Sequence, residues 1–360
     1  MGRAVTMADV AQRAGVSRAL VSIVIRGVPG ASEANRARVL QAAADLDFHP
    51  DQRARLLGSS RSRTIGVVLG IDHAFHAQLV ADLYASVAAT GGGGAGWRLA
   101  VEPVASSRPE REALRALVDQ RCEAALLLGP GSSTAELAAL ARRLPLVLLA
   151  RRVTDPEIRT VRTDDEAGAR LAVEHLLALG HRRIAHLHGG RAPGAAERRA
   201  GYRRAMAAAG LEPELLAGGL DDAAGERAAP EVLRPGGPTA VLAFNDACAL
   251  GLLLTARAQG VEVPRRLSIV GFDDSVVARS TTVALTTVAQ DSAAIAAHGL
   301  RLAVEAADGE PGVGEAGGGK AGSGEVARPG TDGRARQVVI APRLVVRRTT
   351  APPPGPDETG

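Results

Sequence analysis

Three hydrophobic patterns follow one another along the chain. Over residues 1–50, apolar residues recur at intervals of three and four positions, which predicts three short amphipathic helices. From residue 64 onward, short continuous apolar runs alternate with longer helical stretches. Such runs are typical of strands that are buried on both faces of a parallel sheet. Residues 308–336 are rich in glycine and show no periodicity, which predicts a flexible insertion.

The alternation of strands and helices after residue 64 predicts an α/β fold. The predicted strands are 65–69, 99–101, 124–128, 146–149, 184–187, 240–244 and 267–270, and the helices include 77–89, 111–120, 167–179, 195–209 and 247–259. With further strands at 338–340 and 344–346, about nine are expected, which is too many for one small doubly wound sheet. We therefore predict two lobes, each a doubly wound parallel sheet, with a cleft between them.

These patterns divide the chain into domains. We predict a three-helix module at 1–50, a hinge at 51–63, a two-lobed body at 64–350 and a disordered tail at 351–360. Within the body, we assign 64–162 and 291–307 to the N-terminal lobe, and 163–284 and 337–347 to the C-terminal lobe.

The composition is that of an ordinary globular protein, with 46% hydrophobic and 23% charged residues among 360. No apolar stretch is long enough to span a membrane, and the first residues lack the apolar core of a secretory signal. A cytoplasmic location without membrane association is therefore expected. Cys122 and Cys248 have apolar neighbours, which predicts two buried thiols and no disulfide framework.

The positive charge of the chain is concentrated at its N-terminus. Residues 1–63 contain ten arginines and five acidic residues, a net charge of +5, whereas the remaining residues carry a net charge of −1. This asymmetry indicates a small module that binds a polyanion, attached to a nearly neutral body.

The first two predicted helices are joined by a tight turn at Gly15, which is the arrangement of a helix-turn-helix. Hydroxyl groups that can cap the three helices stand at Thr6, Ser17 and Ser32. In the second helix, Arg18, Ser22 and Arg26 repeat every four residues and form one exposed line. Such a helix fits the major groove of DNA, although the spacing alone also allows a small bundle for protein contacts.

Two segments near the N-terminus resemble the LacI/GalR family of transcription regulators. They are VTMADVAQRAGVSRALVSIVIRG (5–27), which resembles the family's helix-turn-helix, and ASEANRARVLQAAADLDFHPDQRARLLGSSRSRTIGVV (31–68), which continues through the third helix and the hinge. The resemblance extends over nearly the whole chain, as far as residue 350. It implies that the body has the two-lobed fold of periplasmic binding proteins.

The resemblance also implies which side chains contact DNA. Arg18, Ala19, Ser22 and Ile23 would face bases, Thr6, Ser17, Arg26 and Ser32 would hold the backbone, and Asp51, Ala54 and Leu57 belong to the hinge. Leu57 would enter the minor groove as a wedge, which needs two hinges side by side. The resemblance therefore implies a homodimer on a pseudo-palindromic operator in double-stranded DNA. Ile23 replaces a polar residue of many relatives and can contact a thymine methyl, but it cannot donate a hydrogen bond to guanine.

Polar and aromatic side chains follow the predicted strands of both lobes, at the edge where doubly wound sheets bind ligands. The segments that match the family's ligand contacts are ERRAGYRRAM (197–206), AFNDACALG (243–251), VGFDDS (270–275) and LTTVAQD (285–291). The resemblance thus implies a small-molecule effector bound by Phe75, His76, Arg198, Asn245, Asp273 and Gln290. Leu220 stands where many relatives stack an aromatic side chain on the ligand, so a pyranose-stacking site is not implied.

We predict a dimeric transcriptional repressor whose operator affinity is controlled by a sugar-like or nucleoside-like metabolite bound between the lobes. Two alternatives remain open, a solute-binding protein and a sugar- or nucleoside-processing enzyme on the same fold. The basic N-terminal module disfavours the first, and the lack of a recognisable catalytic motif disfavours the second. We expect no cofactor and no metal ion, because His186 and His188 have no cysteine or acidic cluster beside them in the sequence.

Overall fold

A computed structural model describes residues 5–25, 29–48, 61–89, 96–153, 155, 158–309, 326–329 and 335–355. Among the described residues, no helix is both long enough and apolar enough to cross a membrane.

Three helices form the N-terminal module, α1 (Met7–Ala14), α2 (Arg18–Ile25) and α3 (Glu33–Asp45). A hydroxyl oxygen caps the first turn of each helix, and these caps are Thr6, Ser17 and Ser32, as the sequence predicts. Gly15 ends α1 with a φ of 65°, a left-handed conformation that glycine adopts without strain. Val10, Val21, Val24 and Val39 are buried together, so the apolar side of each helix faces the other two.

The N-terminal lobe is built on a seven-stranded sheet. Its strands, in spatial order, are β11 (Val326–Pro329), β12 (Ala335–Ile340), β5 (Arg159–Thr163), β4 (Leu146–Leu149), β3 (Ala124–Leu128), β1 (Thr64–Gly70) and β2 (Arg98–Val104). The strands from β12 to β1 run parallel, and β11 is antiparallel to β12. The helices that belong to this part of the chain are α4 (Ala74–Ala89), α5 (Glu110–Asp119), α6 (Thr134–Ala141) and α12 (Ser292–Asp308).

The C-terminal lobe is built on a six-stranded sheet. Its spatial order is β13 (Arg343–Val345), β10 (Thr286–Ala289), β9 (Ser268–Asp273), β8 (Ala240–Ala243), β6 (Ile184–His188) and β7 (Glu214–Ala217), with only β13 antiparallel to its neighbour. Its helices are α7 (Asp165–Ala178), α8 (Ala195–Ala208), α9 (Asp222–Val232), α10 (Asp246–Ala258) and the single turn α11 (Val276–Arg279). One buried cluster joins the sheet to α7 and α8 and another joins it to α9 and α10, so helices cover both faces.

The predicted lobe boundaries were wrong in one respect. Residues 337–340, assigned to the C-terminal lobe, belong to β12, and Gln337 of that strand pairs with Thr160 in the N-terminal sheet. The chain therefore crosses between the lobes three times, at 164, at 290–291 and at 341–342. The apolar pattern identifies a strand but does not say which of two similar sheets it joins.

Two further predictions were wrong in part. The segment 308–336 was expected to lack structure, but β11 and the first residues of β12 lie inside it and form an antiparallel pair at the sheet edge. The tail was expected to be disordered from residue 351, but Ala351 N donates to Ser268 Oγ at 3.1 Å, and its carbonyl oxygen lies 2.9 Å from His181 Nε2. These backbone groups find partners in the C-terminal lobe, which orders the chain there.

Candidate functional site

The second helix of the N-terminal module has one buried side and one open side. Val21 and Val24 are buried, whereas Arg18 and Ala19 are exposed and Ser22 and Ile23 are partly exposed. The four side chains predicted to face bases therefore lie outside the module's core. Arg26, Asp51, Ala54 and Leu57, with the rest of the hinge up to residue 60, lie outside the described residues.

A cavity of about 290 Å³ lies between the two lobes of the body. All six predicted ligand-binding residues line it, namely Phe75, His76, Arg198, Asn245, Asp273 and Gln290. The first two come from the start of α4, and the others come from α8 and from the carboxyl ends of β8, β9 and β10. The strand-end rule therefore brings together side chains that are more than 200 residues apart in sequence, from Phe75 to Gln290.

Arg198 is the centre of a buried charge cluster in this cavity. Its Nε donates to Asp165 Oδ1 at 2.9 Å and its Nη1 donates to the Phe244 carbonyl at 2.6 Å. The guanidinium carbon lies 3.6 Å from the centre of the Phe272 ring and 4.6 Å from that of Phe244. Both aromatic rings therefore hold the planar cation in one orientation, and the ion pair with Asp165 already offsets its charge.

Asp273 and Gln290 are joined to each other and to the other lobe. Gln290 Nε2 donates to Asp273 Oδ1 at 2.7 Å, and Gln290 Oε1 accepts from Thr163 Oγ1 at 2.8 Å. Arg198 Nη2 lies 3.8 Å from the same oxygen of Asp273. Thr163 ends β5 in the N-terminal lobe, so this chain of contacts runs from the cavity into an interlobe crossover.

Two consecutive non-glycine residues at the end of β9 have positive φ, 117° for Asp273 and 55° for Asp274. Such conformations cost free energy and persist only where surrounding contacts hold them. The Asp274 carboxylate is buried and accepts from Arg347 Nη2 at 2.6 Å. This hydrogen bond stabilises the turn. The strained turn directs Asp273 toward the cavity.

The remaining predicted ligand residues also have structural partners. Asn245 caps α10, with its Oδ1 accepting from Cys248 N and its Nδ2 donating to the Leu220 carbonyl, both at 2.9 Å. His76 Nδ1 lies 3.2 Å from the Gly70 carbonyl. Burial, and then the neighbouring His73, lower the pKa of His76 to about 4, so its imidazole is neutral near pH 7.

Asp246 was not among the predicted ligand residues, although it lines the cavity. It is buried at the first turn of α10, where its two oxygens accept from Thr287 Oγ1 at 2.5 Å and from Ser275 N at 2.7 Å. Burial, and then the charge of Asp273, raise the pKa of Asp246 to about 7. Its position directly after Asn245 at a strand end is the signal that could have included it. The lining also includes Asp72, His73, Leu220, Asp221, Asp222, Leu250 and Val277.

Two family models match parts of the chain. Residues 6–51 match the bacterial regulatory proteins of the lacI family, and residues 173–316 match a periplasmic binding protein-like domain. The HTH-type transcriptional regulator GalR of Escherichia coli (strain K12) is 35% identical over 313 residues, which cover 85% of this chain and 90% of GalR. The chain belongs to the LacI family.

Solved structures agree with this assignment. A LacI transcriptional regulator from a Rhodococcus species is 39% identical, with a TM-score of 0.72 over 81% of this chain and all of the other. The lac repressor dimer bound to operator and the anti-inducer ONPF is 26% identical, with a TM-score of 0.77 over 97% of this chain and all of the other. The LacI-family chain therefore combines a helix-turn-helix module with a two-lobed body, and it is a transcriptional regulator.

Proposed function

We propose that this LacI-family regulator is a dimeric repressor whose affinity for a pseudo-palindromic operator is set by a small, uncharged polyhydroxy metabolite in the interlobe cavity. The observation that carries the proposal is the cavity itself, in which all six expected side chains meet between two lobes. A ligand that contacts both lobes changes the free energy of one arrangement of the lobes relative to another. If these arrangements bind DNA differently, the ligand changes the affinity for DNA by the same factor as DNA changes the affinity for the ligand. A coupling of about 1–3 kcal/mol changes operator affinity about 5- to 150-fold.

The charge of the cavity favours an uncharged ligand. Its lining contains five carboxyl groups, those of Asp72, Asp221, Asp222, Asp246 and Asp273, and a single guanidinium. That guanidinium, on Arg198, is already paired with Asp165. A ligand carboxylate or phosphate would face more carboxyl groups than guanidinium groups, whereas sugar hydroxyls can donate to these acceptors.

The aromatic side chains favour a polyhydroxy compound over a nucleobase. Phe244 and Phe272 lie against the Arg198 guanidinium, which occupies ring faces that a base would need for stacking. Phe75 also lines the cavity but is largely buried, and Leu220 contributes an aliphatic surface. A flat heterocycle therefore finds little free aromatic surface here.

On the DNA side, the exposed face of α2 would enter the major groove, with Arg18 donating to a guanine edge and Ile23 contacting a thymine methyl. The similar lac repressor binds its operator as a dimer, and we infer the same stoichiometry for this chain. We also infer a cytoplasmic location and binding without catalysis, because the relatives it matches are named as bacterial transcriptional regulators.

The first experiment is selection of fragments of the encoding genome by the full-length protein at physiological salt, where binding through phosphates alone is weak. We expect enrichment of one pseudo-palindromic sequence. Titration of that operator complex with monosaccharides, disaccharides, nucleosides and sugar phosphates then identifies the effector class. A response to a sugar phosphate alone, or to a nucleoside alone, would contradict the proposed ligand chemistry. Absence of any enriched sequence, with and without cell extract, would contradict the repressor itself.

A further inference from the structure

A second cavity, also of about 290 Å³, lies at the lobe junction beside the first. Arg151 and Arg152, which follow β4, line it from the N-terminal lobe, and Arg191 and Arg199 line it from the C-terminal lobe. The two cavities share Pro193 in their linings. Nothing in the function proposed above uses these four arginines.

The second cavity is strongly positive. Its lining contains four guanidinium groups and one carboxylate, that of Glu197. In the described part of the chain, no side chain forms an ion pair with any of the four arginines, and Arg152 and Arg191 also have no hydrogen-bond partner. The Asp165 carboxylate, which lies beside Gly194, is paired with Arg198. The single Glu197 carboxylate does not balance four guanidinium groups, and a bound anion would reduce the repulsion among them.

Two of the arginines are held in place by backbone carbonyls. Arg151 Nη1 donates to the carbonyls of Pro130 and Ser132 at 2.5 and 2.6 Å, and Arg199 Nη1 donates to the Gly190 carbonyl at 2.6 Å. These hydrogen bonds hold one nitrogen of each guanidinium group in place, but a carbonyl group does not neutralise the positive charge. The remaining N–H groups are positioned in a planar geometry that suits the oxygens of a phosphate.

The backbone adds to the positive field. The cavity includes the N-terminal turn of α8, whose cap is Gly194, a residue with no side chain to accept from the first amides. Helix N-termini carry a partial positive charge and unsatisfied N–H groups. Burial, and then the positive charge of Arg199, lower the pKa of His188, which lies next to this region.

We propose that this cavity is a second ligand site, which binds a phosphate-bearing anion and joins the two lobes through it. Apart from Pro193, its lining residues differ from those of the acidic effector cavity, and the opposite charge of the two linings predicts that an anionic group binds here and not in the effector cavity. An anion held by Arg151 and Arg152 on one side and by Arg191 and Arg199 on the other would stabilise the arrangement of lobes seen here.

The test uses the full-length protein without DNA, titrated calorimetrically with inorganic phosphate and with pyrophosphate at constant ionic strength. The variants are Arg152→Gln, Arg191→Gln and their combination, because both arginines are exposed and make no contacts that the fold needs. The control combination is Arg143→Gln with Arg203→Gln, which removes one exposed arginine from each lobe outside the cavity. Anion binding to the N-terminal module is the same in all of these proteins, so differences between them report the cavity.

We expect each single variant to weaken pyrophosphate binding, and the combination to weaken it about tenfold or more, while the control combination stays near wild type. Tighter binding of pyrophosphate than of phosphate would indicate a ligand with two phosphoryl groups. Equal binding of the two would indicate a ligand with one phosphoryl group. Equal losses in the control and cavity variants would overturn the proposal, because they would show attraction to net charge only. If only one of Arg191→Gln and Arg152→Gln weakens binding, the anion does not contact both lobes, and the proposal is wrong in that respect. None of these readouts involves an operator, so their failure is distinguishable from failure of the repressor function.

Discussion

Thr163 and Gln290 join two of the three interlobe crossovers through a single buried hydrogen bond. Thr163 Oγ1 donates to Gln290 Oε1 at 2.8 Å, and both side chains are shielded from solvent. The same amide then donates to Asp273 in the effector cavity. A ligand that displaces Asp273 therefore acts on the crossovers through one intermediate side chain.

Thr163→Val tests this connection. The substitution keeps the shape of the side chain but leaves the buried Gln290 oxygen without its donor, which costs about 1–3 kcal/mol of the free energy of unfolding. We expect that loss in urea denaturation, and a changed ratio of operator affinities with and without effector. Thr160→Val is the control, since it removes a buried hydroxyl from the same strand away from the crossover. Unaltered coupling in Thr163→Val, despite the loss of stability, would show that the crossover bond does not carry the signal.

Arg198→Met separates the roles of Arg198 in folding and in effector binding. The substitution leaves Asp165 buried without a counter-charge, and breaking a buried pair in this way costs about 3–5 kcal/mol. We expect the combination Arg198→Met with Asp165→Leu to recover much of that stability, measured by thermal denaturation, while the response of the operator complex to effector stays absent. Arg204→Met is the control on the same two helices, because its pair with Glu166 is exposed and is expected to contribute less than about 1 kcal/mol. A full effector response in the stable combination would remove Arg198 from the binding site.

The buried carboxyl groups of the cavity predict an unusual dependence of stability on pH. Burial raises the pKa of Asp246 to about 7 and that of Asp273 to about 6, above their ordinary value of 3.8. The folded protein therefore binds more protons than the unfolded chain in this interval, so these groups lower the free energy of unfolding as the pH rises from about 4 to 7. We expect Asp246→Asn to reduce this slope and to stabilise the protein above pH 7.

The measurement for Asp246→Asn is urea denaturation at a series of pH values. Asn can still accept from Ser275 N and can donate to Thr287 Oγ1, so the local contacts are kept. Asp222→Asn is the control, because Asp222 stands at the same position of α9 but is exposed. If the free energy of unfolding depends on pH in the same way for Asp246→Asn and wild type, Asp246 is not the group that binds the extra proton.

The sequence predicted the strands with continuous apolar runs, such as β3 and β4, and it missed β5 and β10. β3 and β4 are entirely apolar and buried, and their predicted bounds agree with the structure. In contrast, β5 reads RTVRT and β10 reads TTVA, in which threonine replaces the aliphatic residues that mark a buried strand. Their hydroxyl groups are needed at the lobe junction, where Thr163 and Thr287 donate to Gln290 and Asp246.

The candidate cavity was more predictable than the contacts inside it. The ends of parallel strands meet at one edge of a sheet, so residues that follow strands could be assigned to one cleft without coordinates. The pairing of Arg198 with Asp165 could not be predicted this way, because Asp165 begins a helix after a crossover whose path depends on both sheets. Arg151 and Arg152 also follow a strand, but the separation of a basic cavity from the effector cavity depends on side-chain positions of Arg191 and Arg199 that the sequence pattern does not give.

The exposed face of α2 begins at Arg18, the first residue of that helix. Arg18→Ala removes a donor to DNA without disturbing the buried Val21 and Val24. If Arg18 donates to a guanine edge, operator binding weakens by about 1–3 kcal/mol, and the protein loses its preference at one base pair of each half-site. Binding to unrelated DNA changes much less, because a base contact contributes little there.

Competition binding with operators substituted at each position measures this preference. Arg13→Ala is the matched control, since Arg13 also carries an exposed guanidinium in the module but pairs with Asp45 at 2.9 Å. If Arg18→Ala weakens operator and unrelated DNA equally, and no base preference changes, then Arg18 contacts phosphate and α2 reads the operator through its other side chains. Ser22 and Ile23 would then be the residues to substitute next, because they share the same open side of the helix.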